Sequence, residues 1–155
     1  MESKRKPLKR HESLKPFSRE HHQGLLLGWK IRKGLKKGVS VERIKKYNDW
    51  FFENHLKPHF ADEEKYIFPI LGDDHELIKK ALTEHRRLTR LFAEENDLEK
   101  TLNHIEEELD RHIRFEEREL FGFIQQQATP AELDKIEELH DELGFVENSA
   151  DIYWE

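Results

Sequence analysis

The sequence predicts an all-α fold, an up-down-up-down four-helix bundle with a short extra helix at the C-terminus. Three observations lead there. From Phe17 onward the apolar residues recur at helical rather than strand spacing. Gly and Pro positions cut the chain into pieces of helix length. With 39% charged and only 35% hydrophobic residues in 155, the chain must use its core economically, as amphipathic helices do.

Residues 1–15 are expected to form a flexible basic arm, with Lys4, Arg5, Lys6, Lys9, Arg10 and Lys15 against only Glu2 and Glu12 and no apolar period. Residues 16–127 form the bundle. Its first helix starts near Ser18, a good N-cap, carries Leu25, Trp29, Ile31 and Leu35 and stops at Gly38. Ser40 caps the second, which runs to Phe68 because Pro69 forbids continuation, with Pro58 as an internal kink. Gly72-Asp73-Asp74 is a turn. The third helix presents Leu77, Ile78, Ala81, Leu82, His85, Leu88 and Phe92 on one face and ends around residues 94–96, and the fourth runs from Leu98 to Gln126. In the remaining segment, 128–155, Thr129-Pro130-Ala131-Glu132 reads as a capping box with proline at the first helical position, opening a fifth helix that closes at Gly144.

Composition excludes several functional classes. No apolar run approaches the ~20 residues of a membrane span, and the charged N-terminus lacks a secretory apolar segment, so a cytoplasmic protein is expected. The absence of cysteine removes disulfides, thiolate metal sites and a cysteine nucleophile. Beyond its basic arm the chain is net acidic, and −6 overall, which argues against a nucleic-acid-binding core. Any metal must therefore be held by the carboxylates and the ten histidines.

Two segments repeat one pattern. His59-Phe60-Ala61-Asp62-Glu63-Glu64 and His112-Ile113-Arg114-Phe115-Glu116-Glu117 both read His-x-x-x-Glu-Glu. An offset of four stacks His and the first Glu on one helix face, Cβ atoms roughly 5–6 Å apart, within reach of a common ion. At 100° per residue, Leu102, Ile105, Leu109, Leu120 and Phe123 surround His112 and Glu116, while Phe52, Leu56, Ile67 and Ile70 lie beside His59 and Glu63. Both pairs thus face inward. A carboxylate buried among Leu, Ile and Phe costs several kcal/mol unless compensated, and a cation compensates it. His85 lies within the apolar face of the third helix. On the first, the apolar face lies within roughly 40° of His21 and over 100° from His22, so His21 is the inward residue unless that helix is rotated, in which case His22 takes its place. A lone inward histidine is commonly just a core residue, but two identical pairs and two further histidines at matching depth point to a metal site of His21, His59, Glu63, His85, His112 and Glu116. His55 shares the stripe of His59 one turn further from Glu63, as a minor ligand or outer donor. Glu64 and Glu117 are expected on the surface, with support of the ligands from outside as the minor alternative, and His11, His75, His104 and His140 are expected to be ordinary surface histidines. Imidazole and carboxylate without sulfur suit iron, manganese or zinc, and two inward carboxylates able to bridge favour a dinuclear centre.

The segments Arg19-Glu20-His21-His22, Leu56 to Glu64, Thr83-Glu84-His85-Arg86-Arg87-Leu88 and His112 to Phe121 resemble the hemerythrin-like, or HHE cation-binding, domain over residues 17–126. The resemblance implies a four-helix bundle holding two non-haem iron ions, oxo- or hydroxo-bridged, with the same six residues as ligands and Glu63 and Glu116 as bridges. It also implies O2 and NO as small ligands. Oxygen carriers of the family have a second histidine one turn before the one matching His85, where this chain has Ala81, and a longer His-to-Asp spacing in the last helix, where it has His112-x-x-x-Glu116. Gly122 stands where a proline is common, so the fourth helix is expected to run on. These departures point to a module that binds or senses O2, NO or iron. An enzyme acting on O2, peroxide or nitric oxide is the alternative, and a metal-free helical interaction protein the outside one. The terminal aromatics Phe145, Tyr153 and Trp154 are expected to pack back on the bundle or to meet a protein partner.

Overall fold

The computed structural model describes residues 9–139 and 145–155, and among these there is no strand. The first long helix is α1 (Lys15–Lys36), and Gly38, at φ 77, turns the chain after it. The second is a continuous rod of α2 (Val41–Phe51), a π turn (Phe52–Leu56), α3 (Lys57–Asp62), a second π turn (Glu63–Ile67) and a closing 3-10 turn (Phe68–Ile70). The third is α4 (Glu76–Ala93). The fourth comprises α5 (Leu98–Phe115), a π turn (Glu116–Leu120) and α6 (Phe121–Gln127), after which α7 (Pro130–Glu137) lies outside the bundle. Connections of a few residues return each long helix beside its predecessor, the geometry of an up-down-up-down bundle.

The caps follow the sequence in detail. The Ser40 side chain accepts from the Arg43 N–H, and the Thr129–Glu132 capping box is complete. Four expectations shift. The first helix begins at Lys15 rather than Ser18, because Pro16 fits a first turn and a 3-10 turn (Glu12–Leu14) precedes it. Residues 9–15, assigned to a flexible arm, pack on the bundle: Leu14 is fully buried and the Arg10 guanidinium donates to the Glu117 carbonyl and the Gln125 side chain. Phe123, expected inside, is 51% exposed. The π turn just before it inserts one extra residue and rotates everything after by about 100°, so Phe121 and Ile124 fill the core instead. The fifth helix ends at Glu137, where a turn follows, and not at Gly144 as expected. Residues 1–8, with most of the arm, and 140–144, with His140, lie outside the described residues.

The terminal aromatics pack back. Tyr153 and Trp154 are buried against α1 and α2, where the absent side chain of Gly34 makes room for the Tyr153 ring. Buried Lys30 anchors this segment: its ammonium donates to the Tyr47 hydroxyl and the Glu147 carboxylate and lies over the Trp154 ring. Among the described residues no helix is long and apolar enough to cross a membrane.

The apolar core comes in two halves. One holds Leu27, Ile31, Phe51, Phe60, Leu88, Phe92, Ile105 and Leu109, and the other Phe17, Ile67, Phe68, Ile78, Ala81, Leu120, Phe121 and Ile124. On each long helix the inward polar residues fall between the two halves, so a single buried polar layer crosses the bundle.

Candidate metal centre

That layer contains all six residues the sequence singled out. His21, His59, Glu63, His85, His112 and Glu116 are each at most 3% exposed, whereas His22 is exposed. His55 is half-buried against Trp50, Phe51 and Phe145 and does not join them. The π turns explain part of the convergence. Two of the three begin at Glu63 and Glu116, widening the backbone where the carboxylates enter the core, as π turns commonly do at functional sites.

Two ligand-like groups share the same carboxylates. His21, His59, Glu63 and Glu116 offer one atom each within 4.8 Å of one another, and so do Glu63, His85, His112 and Glu116. Each carboxylate divides its oxygens between them. Glu63 turns Oε2 towards Nε2 of His59 at 3.3 Å and His21 at 3.5 Å, and Oε1 towards Nε2 of His85 at 3.1 Å. Glu116 turns Oε1 towards Nε2 of His21 at 2.8 Å, and Oε2 towards Nε2 of His112 at 3.1 Å and of His85 at 3.5 Å. Donors at right angles around an ion with bonds of about 2.1 Å stand about 3.0 Å apart, so these spacings suit adjacent positions of one coordination sphere.

The chemistry of the donors fits a cation as well. Nε2 of His59, His85 and His112, both oxygens of Glu63 and Oε2 of Glu116 are buried without a hydrogen-bond partner. Six such atoms in one layer are costly unless an ion takes them up. In the metal-free protein protons take that place. Burial pulls the imidazoles down, but the surrounding carboxylates pull harder, so His21 and His85 stand well above the ordinary range, His112 is raised and His59 is raised to about 9. For the same reason, burial pushes Glu116 up but His112 and its neighbours hold it well below the usual carboxylate range, and Glu63 is lowered too.

Each imidazole is fixed from behind by a carboxylate of the preceding helix in a closed cycle. Glu20 on the first long helix accepts from Nδ1–H of His59 on the second, at 2.7 Å. Glu64 on the second accepts from His85 on the third at 2.7 Å, Glu84 on the third from His112 on the fourth at 2.7 Å, and Glu117 on the fourth from His21 on the first at 2.6 Å. All four Nε2 lone pairs are thereby turned inward. Glu64 and Glu117, for which a supporting role was the minor expectation, belong to this cycle, and so do Glu20 and Glu84, to which the sequence assigns no role of their own. The signal was in the sequence: each Glu is next to an inward residue, before His21 and His85 and after Glu63 and Glu116, and a step of 100° takes it to the helix edge facing a neighbour. Aromatic rings pack the rest of the layer, Phe60 stacking on His85 at 3.8 Å and Phe121 on His21 at 5.1 Å. A cleft of ≈ 830 Å³ between the second and third long helices is lined by Phe52, Phe60, Glu64, His85, Arg86 and Phe92 among others.

A comparison with protein families agrees with this geometry: the model of the hemerythrin HHE cation-binding domain matches residues 13–124. The chain belongs to that family. No curated protein and no solved structure matches it. The family match extends across all four long helices, and within it the buried His/Glu layer is the part suited to a cation.

Proposed function

We propose that this hemerythrin-like domain is a non-haem di-iron protein that binds or senses O2, NO or iron. The observation that carries the reading is the division of each shared carboxylate between two histidine pairs, which matches two ions bridged by Glu63 and Glu116 better than one ion at the centre. His21 and His59 would hold one iron, His85 and His112 the other. Bound there, iron supplies redox chemistry and exchangeable positions for a diatomic ligand. The chain itself supplies a buried layer between two apolar half-cores, imidazoles each held in one orientation by a carboxylate, and a cleft with His85 in its lining as the route for a small ligand. Ala81 is fully buried on the third helix one turn before His85 and brings no further donor. With two histidines to each ion, His21 with His59 and His85 with His112, neither would be saturated by imidazole, an arrangement that suits sensing or redox chemistry better than reversible carriage.

The test is metal analysis and spectroscopy. Protein produced with iron is expected to hold close to two irons per chain and, after exposure to air, to show ligand-to-metal charge-transfer absorption in the near ultraviolet. One tightly held zinc, or no metal after anaerobic iron loading, would remove the reading. The cleft keeps an enzyme acting on O2, peroxide or nitric oxide as the second reading. Turnover of peroxide or NO beyond the metal stoichiometry would establish it over the binding module.

A further inference from the structure

We propose that Glu20, Glu64, Glu84 and Glu117 are positioning residues that act as one device, orienting the four histidines and holding the metal centre towards its oxidised state. The inference rests on the di-iron reading and concerns what surrounds that site. Four hydrogen bonds of 2.6–2.7 Å join four imidazoles to four carboxylates with none left over, and every bond crosses from one long helix to the next. A carboxylate on Nδ1–H makes the imidazole a stronger donor through Nε2 and fixes its ring. Stronger donors and nearby negative charge both favour the more highly charged ion, so the cycle lowers the reduction potential. Because the cycle closes, the ring orientation of each histidine also depends on the placement of the neighbouring helix.

One member differs. Glu117 also accepts from the Ser18 hydroxyl and lies 3.6 Å from the Arg10 guanidinium, whereas among the described residues Glu20, Glu64 and Glu84 form no ion pair other than the one with their histidine. Arg10 therefore offsets part of the charge on the His21 side. This gives the proposal a sign that a purely structural role does not have. Removing a carboxylate charge raises the potential, and removing the Arg10 charge lowers it.

The experiment uses the full iron-loaded chain and compares Glu20→Gln, Glu84→Gln, Glu84→Ala and Arg10→Gln with wild type, with Glu107→Gln as a control on an exposed residue outside the cycle. Gln keeps an acceptor for Nδ1–H and loses only the charge. Redox titration followed by the charge-transfer band is expected to show a tenfold or larger shift of the oxidised-to-reduced ratio towards reduced in each Gln variant of the cycle, 59 mV for a one-electron couple. Arg10→Gln is expected to move it the opposite way, and Glu107→Gln not at all. Glu84→Ala, which also frees the ring, is expected to lose 10–100-fold in metal affinity by chelator competition. Wild-type potentials in both Gln variants, with two irons retained, would overturn this inference alone, as would shifts of one sign in all variants. Wild-type protein that fails to hold two irons would overturn the di-iron reading and this inference with it.

Discussion

Stripping the metal and raising the pH is expected to destabilise this protein in a window set by its own histidines. In the metal-free layer, protons on the imidazoles balance the buried charges of Glu63 and Glu116. His59, fully enclosed, is raised to about 9, and His21, His85 and His112 are raised as well. In the unfolded chain an imidazole titrates near 6.5. A group whose folded value lies above its unfolded one gives stability that is fully present below about pH 6.5 and is lost as pH climbs through the folded value. For His59 alone the loss amounts to roughly 3 kcal/mol by pH 10, at about 1.4 kcal/mol for each tenfold change in proton affinity. The other three act in the same direction. Ions that replace those protons bind the deprotonated donors, so the stabilisation by metal grows over the same window. Urea denaturation of chelator-stripped and metal-loaded protein at pH 6, 7.5 and 9 measures both curves. A metal-free curve that is flat or rises between pH 6.5 and 9 would refute the reasoning, because the buried carboxylates would then need no counter-charge.

Three further outcomes are expected. His21→Ala should release metal while His22→Ala, at an exposed position, keeps the wild-type content by metal analysis, and the reverse result would rotate α1. In Gly34→Ala the new Cβ would stand 2.5 and 2.8 Å from Tyr153 ring carbons and 3.0 Å from Ile44 Cδ1, so an overpacking cost of about 1–3 kcal/mol should outweigh the helix-propensity gain of about 1 kcal/mol. In Gly24→Ala the new Cβ would crowd the terminal methyl of Ile113 at 2.6 Å, the far end of a flexible side chain, with its other neighbours at 3.9 Å, and the change should be near neutral. Tryptophan fluorescence and thermal denaturation read the difference, and a Gly34→Ala protein with unchanged emission and a raised Tm would show that residues 145–155 are not held where Tyr153 places them.

Much of this molecule was legible in the sequence because it is helical, and helices carry their geometry in residue spacing. Ser40, Gly38 and the Thr129 capping box mark local events that four or five residues decide, and the 100° step turned His59, Glu63, His112 and Glu116 inward before any partner was known. The same arithmetic separated His21 from His22. It failed where the helix departs from its ideal period. Phe123 was misplaced because the sequence does not announce the π turn at Glu116–Leu120, which exists to seat a carboxylate against three other helices. The docking of residues 9–15 depends on Arg10 reaching Glu117 and on Leu14 meeting α7, contacts more than a hundred residues apart in the chain. The carboxylate cycle shows the division most plainly. Sequence alone puts Glu20, Glu64, Glu84 and Glu117 at helix edges, where exposure is the ordinary outcome. Only the packing order of four helices brings each one within 2.7 Å of the next helix's imidazole, because a hydrogen bond between helices is a property of their juxtaposition and of neither helix by itself.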